Sequence, residues 1–194
     1  MCSQFELKMH PSDPNWGFDL DELPDGFTRG EIRPTNQTLC LGPRGLFINR
    51  WGLKVNWGNK PIINARAETL RVKPTFQPLL NFRCLVPASA YFEWRREGSQ
   101  RFKNRIAISD TPQFTFAGLT DGENVTIVTC QSVPSVAHIH ARMPVILSSI
   151  NQMVWIDDER EYADVAHLVL PRDDLDLEVD EKPPQPPRQD DLFV

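Results

Sequence analysis

The segment Gln113–Cys130, QFTFAGLTDGENVTIVTC, decides the fold class of this chain. It holds two runs rich in β-branched and aromatic residues, separated by Asp121-Gly122, a dipeptide that favours a tight turn between paired strands. A similar run precedes it at 101–109. We therefore predict three consecutive antiparallel strands, at 101–109, 113–119 and 124–130.

Outward from this segment, strands continue to outnumber helices. Short apolar runs broken by turn residues predict further strands at 38–41, 45–48 and 51–55. Two stretches favour helices: Ala65–Arg71, and a stretch ending near Ile156 that begins at a capping box formed by Ser149 and Gln152. This pattern predicts one α+β domain over residues 1–172, dominated by short antiparallel strands.

The remaining residues, 173–194, differ in composition. They carry eight acidic and two basic side chains, a net charge of −6 within a chain whose total is −5. Four prolines are also grouped at 183–187. Such a segment buries too little apolar area to offset the entropy lost on ordering, so we predict a disordered tail. The body has a net charge of +1, so DNA affinity would have to come from a local basic site.

Several classes of protein are excluded by simple patterns. No apolar run approaches the roughly 20 residues of a membrane helix, and the first residues lack the features of a secretory signal. The four cysteines (Cys2, Cys40, Cys84 and Cys130) are isolated from one another. We expect a cytoplasmic protein with neither disulfides nor a zinc site, and with no cofactor.

Cys2 offers unusual chemistry if Met1 is removed, as methionine aminopeptidase does when the second residue is small. The chain then begins with an α-amine, whose pKa is about 7.7–8.0, next to a thiol. An aldehyde can form a Schiff base with the amine, and the thiol can close a five-membered thiazolidine ring. The simpler alternative is that Cys2 has no chemical role.

Two acid–base candidates follow. Glu93 lies among Tyr91, Phe92 and Trp94, where burial would raise its carboxyl pKa and suit general acid–base work. The alternative is an edge-strand glutamate that points outward. His140 precedes Arg142 and an apolar run, and can titrate near neutral pH, although a lone histidine is more often structural.

Other candidates have equally simple structural alternatives. Asn64 can position an α-amine or begin a helix as its N-cap. Arg66 and Arg142 can bind phosphates or pair with Glu68 and other acids. The remaining two, Trp51 and Trp57, can stack on DNA bases or lie in the core.

Taken together, these residues resemble a known family, the SOS-response-associated peptidases (SRAP), which sense abasic sites. The resemblance covers about residues 1–155. Its blocks, in chain order, are Met1-Cys2, Arg33-Pro34-Thr35, Trp51-Gly52-Leu53, Asn64–Thr69, Arg83–Ala88 with Tyr91–Trp94, and His140–Leu147.

The resemblance implies a barrel-like sheet and a covalent thiazolidine crosslink between Cys2 and the aldehyde of an abasic site in single-stranded DNA. It also implies that this chain, like members of the family, removes its own N-terminal residues to expose the cysteine. Asn64 would orient the amine, and Glu93 and His140 would transfer protons. Phosphate binding would fall to Arg66 and Arg142.

The chain departs from the family pattern at its start, where Ser3-Gln4 replaces the usual Gly-Arg. The loss of that arginine removes one expected phosphate contact near the N-terminus. The segment between Pro34 and Trp51 is also shorter than the family's. Both departures concern DNA contact more than the chemistry of Cys2.

A last signal lies at the C-terminus, in Gln189-Asp190-Asp191-Leu192-Phe193. This pentapeptide is similar to the one by which bacterial DNA-processing proteins bind the replication sliding clamp. Apolar anchors on a flexible terminal peptide suit binding in a groove. We predict that Gln189, Leu192 and Phe193 contact the clamp, which would place the protein at the nucleoid and the replication fork. We expect the protein itself to be a monomer.

Three other functions stay open at this point. A cysteine peptidase would use Cys2, His140 and Asn64 on protein substrates. An abasic-site lyase would form the imine and then cleave the strand. A binding module would hold single-stranded DNA through its tryptophans and arginines alone.

Overall fold

Strands provide most of the regular structure, which a computed structural model describes for residues 2–9 and 23–181. The strands are β1 Phe5–Leu7, β2 Gly30–Ile32, β3 Gln37–Gly42, β4 Gly45–Trp51, β5 Leu53–Val55, β6 Gly58–Ile62, β7 Asn64–Arg66, β8 Arg83–Ala88, β9 Ala90–Glu97, β10 Gln100–Ile108, β11 Phe114–Thr120, β12 Asn124–Gln131, β13 Arg142–Pro144, β14 Ile146–Leu147 and β15 Leu177–Asp180. The α-helices are α1 Pro134–Ala137, α2 Ser149–Ile156 and α3 Tyr162–Val165, and 3-10 turns lie at Ala67–Thr69, Gln77–Leu79 and Ala166–Val169. The predicted α+β class is confirmed.

The strands form two large sheets and one small hairpin. One sheet has five strands in the order β15-β10-β9-β1-β2, and the small hairpin pairs β5 with β6. The other has eight strands, in which β12, β4, β3, β8 and β11 pair in sequence and β11 pairs back to β12. The predicted strands at 101–109, 113–119 and 124–130 are confirmed as β10, β11 and β12.

Strand β12 pairs with different strands along its two halves. Val125 pairs with Trp51 of β4 and with Thr120 of β11, so these strands lie on opposite edges of β12. Further along, Thr129 pairs with Arg66 of β7 and with Pro144 of β13. The second half of β12 therefore holds β7 on one side and β13 on the other.

Ser89 is the point at which the chain passes from one sheet to the other. It is the single residue between β8, in the eight-stranded sheet, and β9, in the five-stranded sheet. Its N–H donates to the carbonyl of Glu6, and its hydroxyl exchanges hydrogen bonds with the backbone of Lys8. These bonds fix β1 beside the start of β9, and thereby fix the N-terminal residues that precede β1.

The core fills the space between the sheets. Phe5 of the five-stranded sheet packs edge-on against Phe116 of the eight-stranded sheet, with ring centroids 5.7 Å apart. Tyr91 approaches the same ring at 6.3 Å. In the part of the chain that is described, no helix has the length and apolar character needed to cross a membrane.

The predicted helix over 65–71 is wrong. Asn64–Arg66 instead forms β7, whose backbone pairs in parallel with β12, and only a single 3-10 turn follows. Tertiary pairing with a neighbouring strand has overridden the local preference for helix. The helix ending at Ile156 is confirmed as α2, although its N-cap is Ser148 and its side chain makes no capping bond.

The strand predicted over 51–55 is divided by Gly52. Its φ of +122° suits glycine, and a Cβ atom there would lie 2.7 Å from the Cβ atom of Pro61. Strand β4 therefore ends at Trp51, and the chain turns before β5 begins.

The prediction that disorder begins at residue 173 is wrong for the described part of that segment. Leu177 and Val179 alternate with acidic residues in β15, which pairs with β10. These two apolar side chains pack against the core, while Glu178 and Asp180 face solvent. The acidic composition of residues 173–194 does not reveal this two-residue alternation of apolar and acidic side chains. Residues 182–194 lie outside the described structure.

Candidate functional site

Cys2 is completely buried just before β1. Its thiol donates a hydrogen bond to the carbonyl of Gln4 at a Sγ–O distance of 3.4 Å. Burial raises the pKa of the thiol far above its ordinary value, and the nearby carboxylate of Glu93 raises it further. The Cys2 sulfur is therefore held as a neutral thiol near pH 7.

Asn64 fixes the backbone of Cys2 from the first position of β7. Its side-chain Nδ2 donates to the carbonyl oxygen of Cys2 at 2.6 Å. Because β7 pairs with β12 through Ile127, the position of Asn64 is set by the eight-stranded sheet. Asn64 is thus not a helix N-cap, and its side chain spans to a residue 62 positions earlier.

Glu93 lies in the interior of the five-stranded sheet, since β9 is bordered by β1 and β10. It is only 2% exposed, which excludes the alternative of an outward-pointing edge glutamate. Burial raises the pKa of its carboxyl group, and the nearby His140 side chain acts against that rise. The predicted burial of Glu93 is confirmed, and the pKa of its carboxyl group is shifted in the predicted direction.

His140 lies in the short connection between α1 and β13. Its Nδ1 is 4.0 Å from Oε1 of Glu93 and accepts a hydrogen bond of 2.9 Å from the backbone N–H of Arg142. The hydroxyl of Ser132 donates to the carbonyl of His140 at 2.7 Å. The same Nδ1 atom lies 3.1 Å from the carbonyl oxygen of Arg142, so both backbone groups of Arg142 lie against the His140 ring.

The structure thus brings together the four residues predicted as catalytic. Asn64 contacts Cys2 directly, Glu93 perturbs the Cys2 thiol electrostatically, and His140 faces Glu93. They come from four separate segments of the chain. The arrangement places a thiol, a side-chain amide, a carboxyl group and an imidazole close together.

Two further polar residues at this site were missed by sequence reasoning. Tyr91 and Asn104 are fully buried, and among the described residues the Tyr91 hydroxyl and the Asn104 Oδ1 have no hydrogen-bond partner. The same holds for the Oδ1 atom of Asn64. Tyr91 lies two residues before Glu93 and on the same face of β9, a period that could have identified it. Asn104 of β10 lies directly opposite Glu93 of β9, and only the register of these two strands reveals that.

The residues predicted to bind DNA differ in their exposure to solvent. Trp51 is fully buried, packs against Phe5 at 5.0 Å, and its Nε1 donates to the carbonyl of Ile63. It therefore presents no ring face for a base, and the prediction that it stacks on DNA is wrong. Trp57 is 74% exposed in the turn between β5 and β6, and Arg66 is exposed at the end of β7.

Arg142 is engaged within the protein. Its guanidinium group forms a two-pronged ion pair with Glu68, with N–O distances of 2.6 and 3.0 Å, and also donates to the carbonyl of Thr129. Only 16% of its side chain is exposed. The second sequence alternative for Arg142, pairing with Glu68, is the one observed.

Two predictions concern other parts of the molecule. His, Cys, Asp and Glu side chains do not gather in groups of three that could hold a metal ion anywhere in residues 2–9 and 23–181. The clamp-binding residues Gln189, Leu192 and Phe193 lie outside the described residues, so clamp binding stays a prediction.

Comparison with known proteins now supplies the family. The model of the SOS response associated peptidase (SRAP) family matches residues 1–181. This chain belongs to the SRAP family. The four clustered residues and the strand β15 all fall within the SRAP match, which therefore includes the acidic residues at 173–181.

Relatives named for abasic site processing align with most of this chain. The abasic site processing protein YoaM of Bacillus subtilis is 32% identical, over 92% of this chain and 89% of its own length. The abasic site processing protein YedK of Escherichia coli is 28% identical, over 73% of this chain and 70% of its own. Both names describe action on abasic sites by those proteins.

Solved structures share the SRAP fold seen here. A phage-related protein from Bordetella bronchiseptica aligns with a TM-score of 0.75 at 22% identity, covering 93% of this chain and 94% of its own. A protein from Bacteroides thetaiotaomicron aligns with a TM-score of 0.70 at 24% identity, covering 84% and 81%. At these identities the likeness establishes the fold alone.

Proposed function

We propose that this chain processes abasic sites in single-stranded DNA by linking them covalently to Cys2 through a thiazolidine ring. The relatives named for abasic site processing support the substrate class. The observation that carries the proposal is the bond from Asn64 to the Cys2 carbonyl, beside a buried Glu93. That bond orients the backbone of the residue whose amine and thiol would react.

The reaction begins once Met1 has been removed, by an aminopeptidase or by the protein itself, which frees the Cys2 amine. The amine adds to the aldehyde carbon of the ring-opened sugar and gives a carbinolamine. Loss of water then gives an imine. The thiol adds across this C=N bond, forming the C–S bond and returning a proton to nitrogen. Overall, aldehyde and aminothiol combine with release of one water molecule and without any change of oxidation state.

Glu93 suits the proton transfers of this sequence. A carboxyl group whose pKa is raised by burial can donate a proton to the departing hydroxyl and later accept one from the thiol. His140, 4.0 Å from Glu93, serves as the second proton-transfer group, near the oxygen released when the sugar opens. The two groups can exchange roles as acid and base between steps.

The state of the Cys2 thiol favours this order of events over peptidase chemistry. A peptidase nucleophile needs a thiolate, which requires a lowered pKa. The pKa of Cys2 is raised instead, by burial and by Glu93. An amine that attacks first, followed by a neutral thiol that closes the ring with help from a base, fits that environment.

DNA would approach through the surface next to this site. Trp57 exposes a ring able to stack on a base, and Arg66 extends from the end of β7, two residues after Asn64. The loss of the family's N-terminal arginine makes these two positions the main candidates for contact. Arg142 would contribute only if the DNA displaced Glu68.

The proposal is tested by intact-protein mass spectrometry before and after incubation with a single-stranded oligonucleotide that carries one abasic site. We expect loss of Met1, followed by a denaturation-resistant adduct whose mass equals protein plus oligonucleotide minus one water. Cys2→Ala should abolish the adduct completely, whereas Cys40→Ala, at another fully buried cysteine, should retain it.

Other outcomes would identify the alternatives. Nicked DNA without a lasting adduct would indicate an abasic-site lyase. A processed N-terminus with no adduct, together with cleavage of protein substrates, would indicate a peptidase. Binding unaffected by Cys2→Ala and indifferent to the abasic site would leave only a DNA-binding module.

A further inference from the structure

Glu181, the residue that follows strand β15, joins two elements that lie next to the candidate site. Its Oε1 atom lies 2.7 Å from Nε2 of His138, and its Oε2 atom lies 3.6 Å from a guanidinium nitrogen of Arg95. His138 is the C-cap of α1, and Arg95 belongs to β9. A residue from the C-terminal end of the described structure therefore bridges α1 and β9.

This bridge runs beside the pair formed by Glu93 and His140. Arg95 follows Glu93 by two residues in β9, so their side chains lie on the same face of the strand. His138 precedes His140 by two residues, in the connection that leads from α1 to β13. The bridge through Glu181 and the 4.0 Å contact between His140 and Glu93 thus join the same two segments at adjacent positions.

One end of the bridge is held in place by the five-stranded sheet. Only 16% of the Arg95 side chain is exposed, and its guanidinium group pairs with Glu97 and lies 5.6 Å from the ring centroid of Phe102, its opposite residue in β10. Strand β15 belongs to the same sheet, where Asp180 pairs with Arg105 of β10. Both the arginine and the strand that leads to the bridge are therefore fixed to β10.

The segment that carries His140 is attached to the other large sheet. The backbone of His140 bonds to Ser132, which follows β12, and to Val136 of α1, and its ring contacts the backbone of Arg142 at the start of β13. Strands β12 and β13 belong to the eight-stranded sheet, whereas Glu93 belongs to the five-stranded sheet. The contact between His140 and Glu93 is therefore a contact between two sheets, and Glu181 adds a second connection beside it.

We propose that Glu181 is a positioning residue, which holds the segment that carries His140 against the strand that carries Glu93. This inference rests on the proposed function and gives the C-terminal strand a part in the geometry of the reaction. Proton transfer requires donor and acceptor to lie within hydrogen-bond reach of the reacting atoms. Loss of the bridge would therefore slow the reaction although every reacting group is still present.

The first test compares Glu181→Ala with Glu178→Ala, which removes an exposed carboxylate from the same strand. We expect Glu181→Ala to lower the single-turnover rate of adduct formation by about tenfold, and Glu178→Ala to leave it within about twofold of wild type. When His140 is already replaced, as in His140→Asn, adding Glu181→Ala should lower the rate by less than about twofold, because the imidazole through which Glu181 acts is absent. A tenfold loss in both backgrounds would overturn the inference.

A titration of Glu93 separates positioning from a general loosening of the fold. The ¹³C chemical shift of its carboxyl carbon, followed against pH, reports its pKa directly. Burial raises this pKa, and the His140 side chain acts against that rise. The Cys2 thiol and the Tyr91 hydroxyl also face the carboxyl group, and the Cys2 amine joins them once Met1 is removed.

The direction of the change in this titration decides between the two explanations. If Glu181→Ala lets His140 move away from Glu93, the pKa of Glu93 should rise above its wild-type value. Loss of the Glu181 charge by itself, or entry of water beside Glu93, would lower that pKa instead. An unchanged or lowered pKa of Glu93 would therefore overturn the inference.

DNA binding provides a further way to overturn it. If Glu181→Ala binds an oligonucleotide without an abasic site several-fold more tightly, with a salt dependence steeper by about one phosphate contact and an unchanged adduct rate, Glu181 blocks a phosphate site and does not position His140. If the wild-type protein itself forms no adduct, the proposed function has failed, and the titration of Glu93 still decides whether Glu181 holds His140 in place.

Discussion

Arg83 and the Cys2 site are two buried polar regions that differ in how completely their polar atoms are hydrogen-bonded. The guanidinium group of Arg83 is nearly inaccessible, and each of its nitrogens donates. The acceptors, at 2.6–3.2 Å, are the carbonyls of Trp155, Leu80, Asp157 and Arg160 and the side chain of Asn81. Around Cys2, by contrast, buried oxygens of Asn64, Tyr91 and Asn104 have no partner within the described structure.

The difference indicates what each region is for. A buried polar atom without a partner costs about 1–3 kcal/mol, so a fold retains several of them in one place only for a reason. Arg83 joins β8 to the end of α2 and the turn that follows, which is a structural task complete within the protein. The open acceptors near Cys2 match a site that completes its bonds with a substrate.

The largest effect on stability is expected from Arg83→Met. This change leaves four backbone carbonyls and one side-chain amide without their donor, and should lower the free energy of unfolding by about 3–5 kcal/mol. Urea denaturation measures it. Arg101→Met, at an exposed arginine that lies over Trp94, should cost less than about 1 kcal/mol. Similar losses in the two variants would remove the contrast between a satisfied cluster and an open site.

Glu93→Gln should affect function and stability in opposite directions. The adduct rate should fall by about 10²–10⁴-fold, because the variant cannot exchange protons. The folded protein holds the Glu93 proton more tightly than the unfolded chain does, so wild type loses stability as pH rises from about 4.3 through the raised pKa. Glu93→Gln should therefore be the more stable protein at pH 8 and equal to wild type below about pH 4.

Thermal unfolding of the two proteins across pH 4–8 measures this second effect. A wild-type protein that gains stability over the same interval, relative to Glu93→Gln, would show that the carboxylate is favoured by the fold. Its assigned role as the proton donor would then be lost.

The smallest effect is expected from Tyr91→Phe. The change removes a buried hydroxyl that has no partner in the described structure, so stability should stay within about 1 kcal/mol of wild type or rise slightly. The ring contacts with Phe116 are retained. A clear loss of stability in urea would mean that the hydroxyl is satisfied after all, and the open site would shrink to two residues.

Local patterns were enough to predict some of these features and not others. Alternation predicted β10, β11 and β12, and the Asp121-Gly122 turn predicted the pairing of β11 with β12, because those two strands are neighbours in sequence. Strand β10 pairs instead with β9, in the other large sheet. Cys2, Asn64, Glu93 and His140 were found through blocks that resemble the SRAP family, which the family match now confirms as the right family. Their roles stay predictions.

Long-range contacts account for what was missed. Asn104 belongs to the site only because β10 pairs with β9 in one register, and Trp51 is buried only because two sheets close over it. The residues adjacent to Asn104 and Trp51 in sequence predict neither contact. The sequence predicted Arg66–Glu68 as part of a helix, because nothing in the local sequence indicates the parallel partner strand β12.

The strand β15 has a consequence for how the domain behaves when it is shortened. It occupies the outer edge of the five-stranded sheet and covers the backbone groups of β10 from Arg105 to Ile108. A chain cut at residue 172, where its acidic stretch begins, would leave that row of N–H and C=O groups open beside Ile106. Uncovered edges of this kind recruit strands from other molecules. We therefore expect a chain without β15 to aggregate more readily than the full chain, which light scattering of the two proteins would measure.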